Sequence, residues 1–137
     1  MEISKILSKN DTGESGGHQN GFHIPKTLLN FFPDLGSHNK NPRIEIIFTD
    51  SFRHEWAFKY IYYNNKLFGG TRNEYRLTCT ARYIKRNNLK SGFTITLSKV
   101  DDKYFISHEK TKSKEAIIQG DKITKIVLSN KWKVIKI

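Results

Sequence analysis

The chain has 137 residues, 36% of them hydrophobic and 27% charged, which suits one soluble domain with a real core. It has no apolar run near the roughly 20 residues that span a bilayer, and with no charged-then-apolar start before a cleavage site, no secretory signal is expected. A formal charge of +11, from 24 Lys and Arg against 13 Asp and Glu, favours a polyanionic partner, most often nucleic acid. The single cysteine, Cys79, excludes an internal disulfide or a multi-thiolate zinc site and fits a reduced cytoplasm.

Met1–Ser8, with Ile3, Ile6 and Leu7, reads as a first strand. Lys9–Gly21 (KNDTGESGGHQNG) is polar and glycine-rich, so it is expected as a surface loop. Two uses of it stay open. It is a flexible connector, or an arm whose glycines admit a ligand while Asp11, Thr12, His18, Gln19 and Asn20 supply donors and acceptors. Phe22-His23-Ile24 is a short strand, and Pro25 suits the first position of a helix over Pro25–Phe32, with Leu28, Leu29, Phe31 and Phe32 turned to a sheet. Arg43–Thr49 and Arg53–Asn64 both alternate with period two and are expected to form a hairpin through Asp50-Ser51. Lys59 and Tyr63 then share the face opposite Trp56, Phe58, Tyr60 and Tyr62.

The stretch Tyr62–Thr78 (YYNNKLFGGTRNEYRLT) carries the densest chemistry. After Phe68-Gly69-Gly70 come Thr71, Arg72, Asn73, Glu74, Tyr75 and Arg76. If this segment is extended, Arg72, Glu74 and Arg76 fall on one face and Asn73 and Tyr75 on the other. Such a row can read base edges in a DNA major groove, arginine donating in a fork to guanine and glutamate accepting from the cytosine amino group. The plainer reading is a solvated strand whose charges pair at i, i+2.

Thr80–Asn88 has helical character, with Thr80 as N-cap and a basic cluster at Arg82, Lys85 and Arg86. Phe93–Val100 and Tyr104–His108 are strands joined at Asp101-Asp102. Lys110–Glu115 is a charged connector, and Ile123–Leu128 and Trp132–Ile137 are final strands. The whole is mainly β, about seven strands with two short helices in an antiparallel, barrel-like sheet.

No catalytic or metal-binding constellation stands out. Pro33-Asp34 with Asp101-Asp102-Lys103 spells a nuclease-like Pro-Asp…Asp-x-Lys pattern, but the acids sit in a loop and a hairpin turn, so a self-contained Mg²⁺-dependent nuclease is disfavoured. The histidines lack helical metal-pair spacing, and GESGG lacks the ending of a phosphate-binding loop. A single-strand or RNA binder with aromatic stacking platforms is a further alternative, although the period-two placement of the aromatics favours a core.

Two blocks, DTGESGGHQNGFHIP and YYNNKLFGGTRNEYRLT, with a weaker SGFTITLSK after them, resemble the N-terminal DNA-binding domain of EcoRII-type restriction endonucleases over about residues 8 to 100. That family belongs to the DNA-binding pseudobarrels, with plant B3 domains and the recognition domain of BfiI. The resemblance implies a seven-stranded pseudobarrel over residues 1–137 that grips duplex DNA with an N-arm (Asp11–His23) and a C-arm (Lys66–Arg76). It implies base reading by His18, Gln19, His23, Arg72, Asn73, Glu74 and Arg76. DNA-backbone contacts are expected from Asp11, Thr12, Lys26, Lys59, Lys66, Thr71, Tyr75, Arg82 and Lys85. His23 stands where the family pattern has tyrosine, and Gly70 and Tyr75 where it has lysines, so the implied target is a G·C-containing site related to CCWGG rather than a proven copy of it. The domain itself is expected to need no cofactor and to act as a monomer in a prokaryotic cytoplasm. A separate nuclease domain or subunit would use Mg²⁺.

Overall fold

The computed structural model describes residues 1–16, 21–36, 39–110, 117–119, 122–124 and 130–137. In chain order, strand β1 (Glu2–Ile6) leads to helix α1 (Lys9–Thr12), strand β2 (Phe22–Ile24) and a 3-10 helix over Lys26–Phe31. Strands β3 (Arg43–Thr49) and β4 (Glu55–Tyr63) follow, then a 3-10 turn over Asn65–Phe68, strand β5 (Glu74–Thr78) and helix α2 (Ala81–Arg86). Strands β6 (Thr94–Val100), β7 (Lys103–Glu109), β8 (Ile117–Gln119), β9 (Lys122–Thr124) and β10 (Lys133–Lys136) complete it. One eight-stranded sheet has the order β10-β1-β6-β7-β3-β4-β5-β2, and β8 and β9 form a separate hairpin.

The expected β3–β4 hairpin is present in a register running from Arg43 opposite Ile61 to Thr49 opposite Glu55. Its inward side chains, Ile46, Phe48, Phe58 and Tyr60, are buried with Phe22, Ile24, Leu77, Ile95, Leu97 and Ile106. Alternation predicts which side of each strand is apolar, and curling the sheet brings those sides together. Asp101 and Asp102 both have positive φ, 49° and 65°, and sit between Val100 and Lys103, which pair across the β6–β7 hairpin. Two left-handed central residues match the right-handed twist of the strands they join.

The sheet does not close by strand pairing, since β10 and β2 are its free edges. An indole bridges them. Trp132 Nε1 donates to the His23 carbonyl at 2.9 Å, and the Trp132 ring meets Phe22 edge-on at 6.2 Å.

Four expectations need correction. The sheet has eight strands with a further two-stranded hairpin, not about seven. It is not wholly antiparallel, because β3 and β7 pair in parallel at Phe48–Tyr104 and Thr49–Phe105. The loop expected over Lys9–Gly21 begins with α1, whose N-cap Ser8 and third residue Asp11 form a reciprocal capping box. The segment after Pro25 is a 3-10 helix with Pro25 as its N-cap. Thr80 does precede α2, but makes no capping bond. Of the strand expected at Ile123–Leu128 and the connector at Lys110–Glu115, the parts at 125–128 and 111–115 lie outside the described residues.

The β3–β4 turn is organised by one carboxylate. Asp50 Oδ1 accepts from the Phe52 and His54 amides, each at 2.9 Å, and Oδ2 accepts from Trp56 Nε1 at 3.0 Å. Burial pushes this carboxyl's pKa up, but the indole and amide donors outweigh it and hold the group below its ordinary value of 3.8. A depressed folded pKa gives stability that is present above the unfolded value and lost as pH falls through the folded one. Asp50→Asn should therefore flatten the acid limb: between about pH 6 and about pH 3 the wild-type urea midpoint should fall further than the variant's. Equal falls would remove Asp50 from the acid response.

Candidate nucleic-acid interface

The C-arm leaves β4 at Asn64, which is fully buried. Its Oδ1 accepts from the Asn41 amide at 2.7 Å and its Nδ2 donates to the Asn39 carbonyl at 2.8 Å, so both ends of the amide are used. The 3-10 turn that follows ends on Gly69 at φ 86°. The Gly70 amide donates to the Asn65 carbonyl at 2.8 Å, and the Lys66 amide donates to the Arg72 carbonyl at 3.0 Å. A Cβ on Gly70 would lie 2.8 Å from Asn65 Cβ, which is why the tight turn carries glycine here. The arm is thus a hydrogen-bonded loop, presenting Lys66, Thr71 and Arg72 to solvent.

The alternation runs from Arg72 and Asn73, just before β5, into Glu74, Tyr75 and Arg76 on the strand. Arg72 donates to Glu74 Oε1 through Nε at 3.2 Å and Nη2 at 2.6 Å, and its guanidinium lies over the Tyr63 ring, 4.0 Å from the centroid. Glu74 Oε2 is 4.0 Å from Arg76 Nη1. Asn73 and Tyr75 occupy the other face. Asn73 Oδ1 accepts from the Tyr62 hydroxyl at 2.8 Å, and Tyr75 stacks on Tyr62 at 4.1 Å and 4°. Burial pushes the Tyr75 hydroxyl's pKa up, with Tyr62 and Asp34 adding to it. Asn73 and Tyr75 therefore do not join the arginine row.

The row extends sideways through strand pairing. His23 on β2 lies opposite Arg76, and Lys59 on β4 lies opposite Thr78; partners directly opposite share a face. His23 and Lys59 are exposed. Arg76 is not. It is 7% exposed, and its Nη2 donates to the Gly21 carbonyl at 3.2 Å. Arg76, expected as a base reader, here ties the end of the N-arm to the middle of β5. Gly21 has φ +100°, and a Cβ there would come 2.3 Å from the Leu77 carbonyl oxygen.

At its other end the N-arm is anchored by α1. The Ser8 amide donates to Asp11 Oδ2 at 2.9 Å and the Asp11 amide to Ser8 Oγ at 3.2 Å, while Lys5 Nζ lies 2.6 Å from Asp11 Oδ2. Asp11, expected at the DNA backbone, has a 6% exposed side chain and holds the arm's root. Glu14 Oε1 accepts from Thr12 Oγ1 at 2.7 Å and from the Ser91 amide at 2.6 Å. The Thr12 bond, then the Ser91 bond, keep the Glu14 pKa low. His18 and Gln19 lie outside the described residues. Lys26 and Lys66 are exposed on the two 3-10 segments, and Arg82 and Lys85 are exposed together on α2.

Sequence reasoning missed Tyr63, Lys5, Glu14 and the close approach at Gly21. The Ser8-x-x-Asp11 spacing was a readable helix-start signal; the other contacts depend on distant neighbours. Among the described residues no group of three or more His, Cys, Asp and Glu could hold a metal, and no helix is long and apolar enough to cross a membrane. Asp34 Oδ1 accepts from the Gly36 amide at 3.0 Å.

Residues 2–97 match the family described as "Restriction endonuclease EcoRII, N-terminal". Over 104 residues the chain is 34% identical to the type II restriction enzyme EcoRII of Escherichia coli, and the match covers 72% of this chain but 26% of that protein. The fold is similar to the protein in the Arabidopsis FUS3–DNA complex, with a TM-score of 0.61 and 23% identity over 80% of this chain and 96% of the other. That likeness supports a pseudobarrel, and the sequence match supports more: this chain belongs to the EcoRII N-terminal domain family.

Proposed function

We propose that this chain binds duplex DNA sequence-specifically through the major groove and serves as the target or effector domain of a type II restriction endonuclease. One observation carries the reading. Pairing of His23 with Arg76 across β2 and β5 brings the end of the N-arm beside the C-arm row of Arg72 and Glu74, so that both arms can serve one groove. Arg72 donates to guanine. Glu74 orients it and offers Oε2 to a neighbouring cytosine amino group. His23 contacts the bases from the N-arm side, with His18 and Gln19. Lys26, Lys59, Lys66, Arg82 and Lys85 supply the dispersed positive charge that phosphates need, and the net charge of +11 supports them.

The nuclease centre and its Mg²⁺ are assigned to a separate domain or subunit, acting with this domain as a monomer in a bacterial cytoplasm. A single-strand binder is less well supported, since Phe22, Phe31, Phe48, Phe58, Tyr60 and Tyr83 are buried and offer no platform to a base.

Selection from random duplexes should enrich one short G·C-containing sequence, and single-stranded competitor should not displace it. No enrichment, or equal competition by single strands, would end the reading. Lys85→Ala should weaken binding to selected and scrambled duplexes alike and reduce the log K against log[salt] slope by about 0.9.

A further inference from the structure

From the contacts around Arg72 we infer that Tyr63 is a specificity-determining positioning residue, which fixes the plane of the Arg72 guanidinium so that one edge is aimed at guanine. The inference rests on the DNA-reading function proposed above. A guanidinium has a side edge, Nε with Nη2, and an end edge, Nη1 with Nη2, and either can form a fork. Here Glu74 Oε1 takes the side edge, at 3.2 Å from Nε and 2.6 Å from Nη2. Nη1 carries no partner among the described residues, Nη2 keeps its second hydrogen for the end edge, and the Arg72 side chain is 42% exposed.

Glu74 alone leaves the group free to tilt about its salt bridge. The Tyr63 ring beneath the guanidinium, 4.0 Å from Cζ, removes that tilt through cation–π attraction and flat contact. Tyr63 can do this because it lies opposite Glu74 in the β4–β5 ladder, which puts those two side chains on one face, and Arg72, two residues before Glu74, lays its guanidinium over the ring. The arginine is thus held from below and from one side before DNA arrives. A prearranged fork does not have to be ordered on binding, and it favours the base whose two acceptors, O6 and N7, meet the end edge.

The test uses the full chain and the duplex recovered by selection, with the guanines replaced one at a time by 7-deazaguanine, which lacks the N7 acceptor. Tyr63→Phe and Tyr63→Trp should keep the wild-type preference for the selected over a scrambled duplex. Tyr63→Leu should lower it about tenfold with the salt slope and thermal midpoint unchanged. On the duplex carrying 7-deazaguanine at the position read by Arg72, that loss should disappear, because the two changes remove the same contact. The inference is overturned if Tyr63→Leu keeps full preference. It is also overturned if Tyr63→Phe loses as much as Tyr63→Leu, which would assign the contact to the hydroxyl, or if the Tyr63→Leu loss is the same on every 7-deazaguanine duplex. Absence of any preference in the wild type would instead strike at the DNA-reading function itself.

Discussion

Arg72→Ala should cost about 1–3 kcal/mol of specific binding while changing affinity for scrambled duplexes little. The asymmetry follows from what the side chain is bonded to. Its charge is already matched by Glu74 Oε1 at 2.6 Å, so its loss changes the long-range field less than loss of an unpaired lysine would. What disappears is a two-pronged donor of fixed direction. Removal also leaves Glu74 with only the more distant Arg76, 4.0 Å away, so its freed Oε1 faces the guanine acceptors that Arg72 would have met. Arg72→Lys should recover little, because an ammonium cannot hold Glu74 with two nitrogens and still present a fork. Titrations of both variants against the selected duplex and a scrambled one, at one salt concentration, measure the effect. If Arg72→Ala binds the selected sequence as wild type does, the C-arm is not the reader.

Gly21→Ala should be the most damaging change to the arms. The residue sits at φ +100°, and its new Cβ would meet the Leu77 oxygen at 2.3 Å and Thr78 Cα at 2.9 Å. Both obstacles are backbone, and they belong to β5, which is held on one side by β2 and on the other by β4. Neither can step aside without breaking ladder bonds. Side-chain strain at positive φ adds to the collision. A loss of about 2–4 kcal/mol is expected, read as a lower urea midpoint. The Gly21 carbonyl also holds Arg76, so the N-arm should shift away from β5. An unchanged midpoint would mean that the close approach is absent in solution.

What the residues disclosed and what they hid can be separated physically. The β3–β4 hairpin was readable because Ile44, Ile46 and Phe48 recur with period two in β3 and Asp50 caps the turn, all within local reach. The facing of Arg72, Glu74 and Arg76 was readable for the same reason, since the period of a strand is two. Depth was not. Alternation says that Arg72 and Arg76 point the same way, yet Arg72 is on the arm at the sheet's end, while Arg76 sits between His23 and Ile61 on neighbouring strands. Only the partners of β5 decide which of the two arginines meets water. The parallel β3–β7 contact was hidden likewise, since Phe48 and Tyr104 lie far apart in the chain. Helix α1 is four residues long, too short for periodicity to show, and only its capping spacing announced it. Of the base readers expected in the N-arm, His23 is exposed beside Arg76, and His18 and Gln19 lie outside the described residues.

The chain has two tryptophans, and their surroundings differ. Trp56 is bonded to Asp50 and packs edge-on against Tyr83. Trp132 hangs its indole on the carbonyl of His23, the proposed base reader at the end of the N-arm. The protein therefore carries a native fluorophore tied to the backbone of β2, and with Trp56 replaced by Phe the tryptophan emission that remains reports on that contact alone.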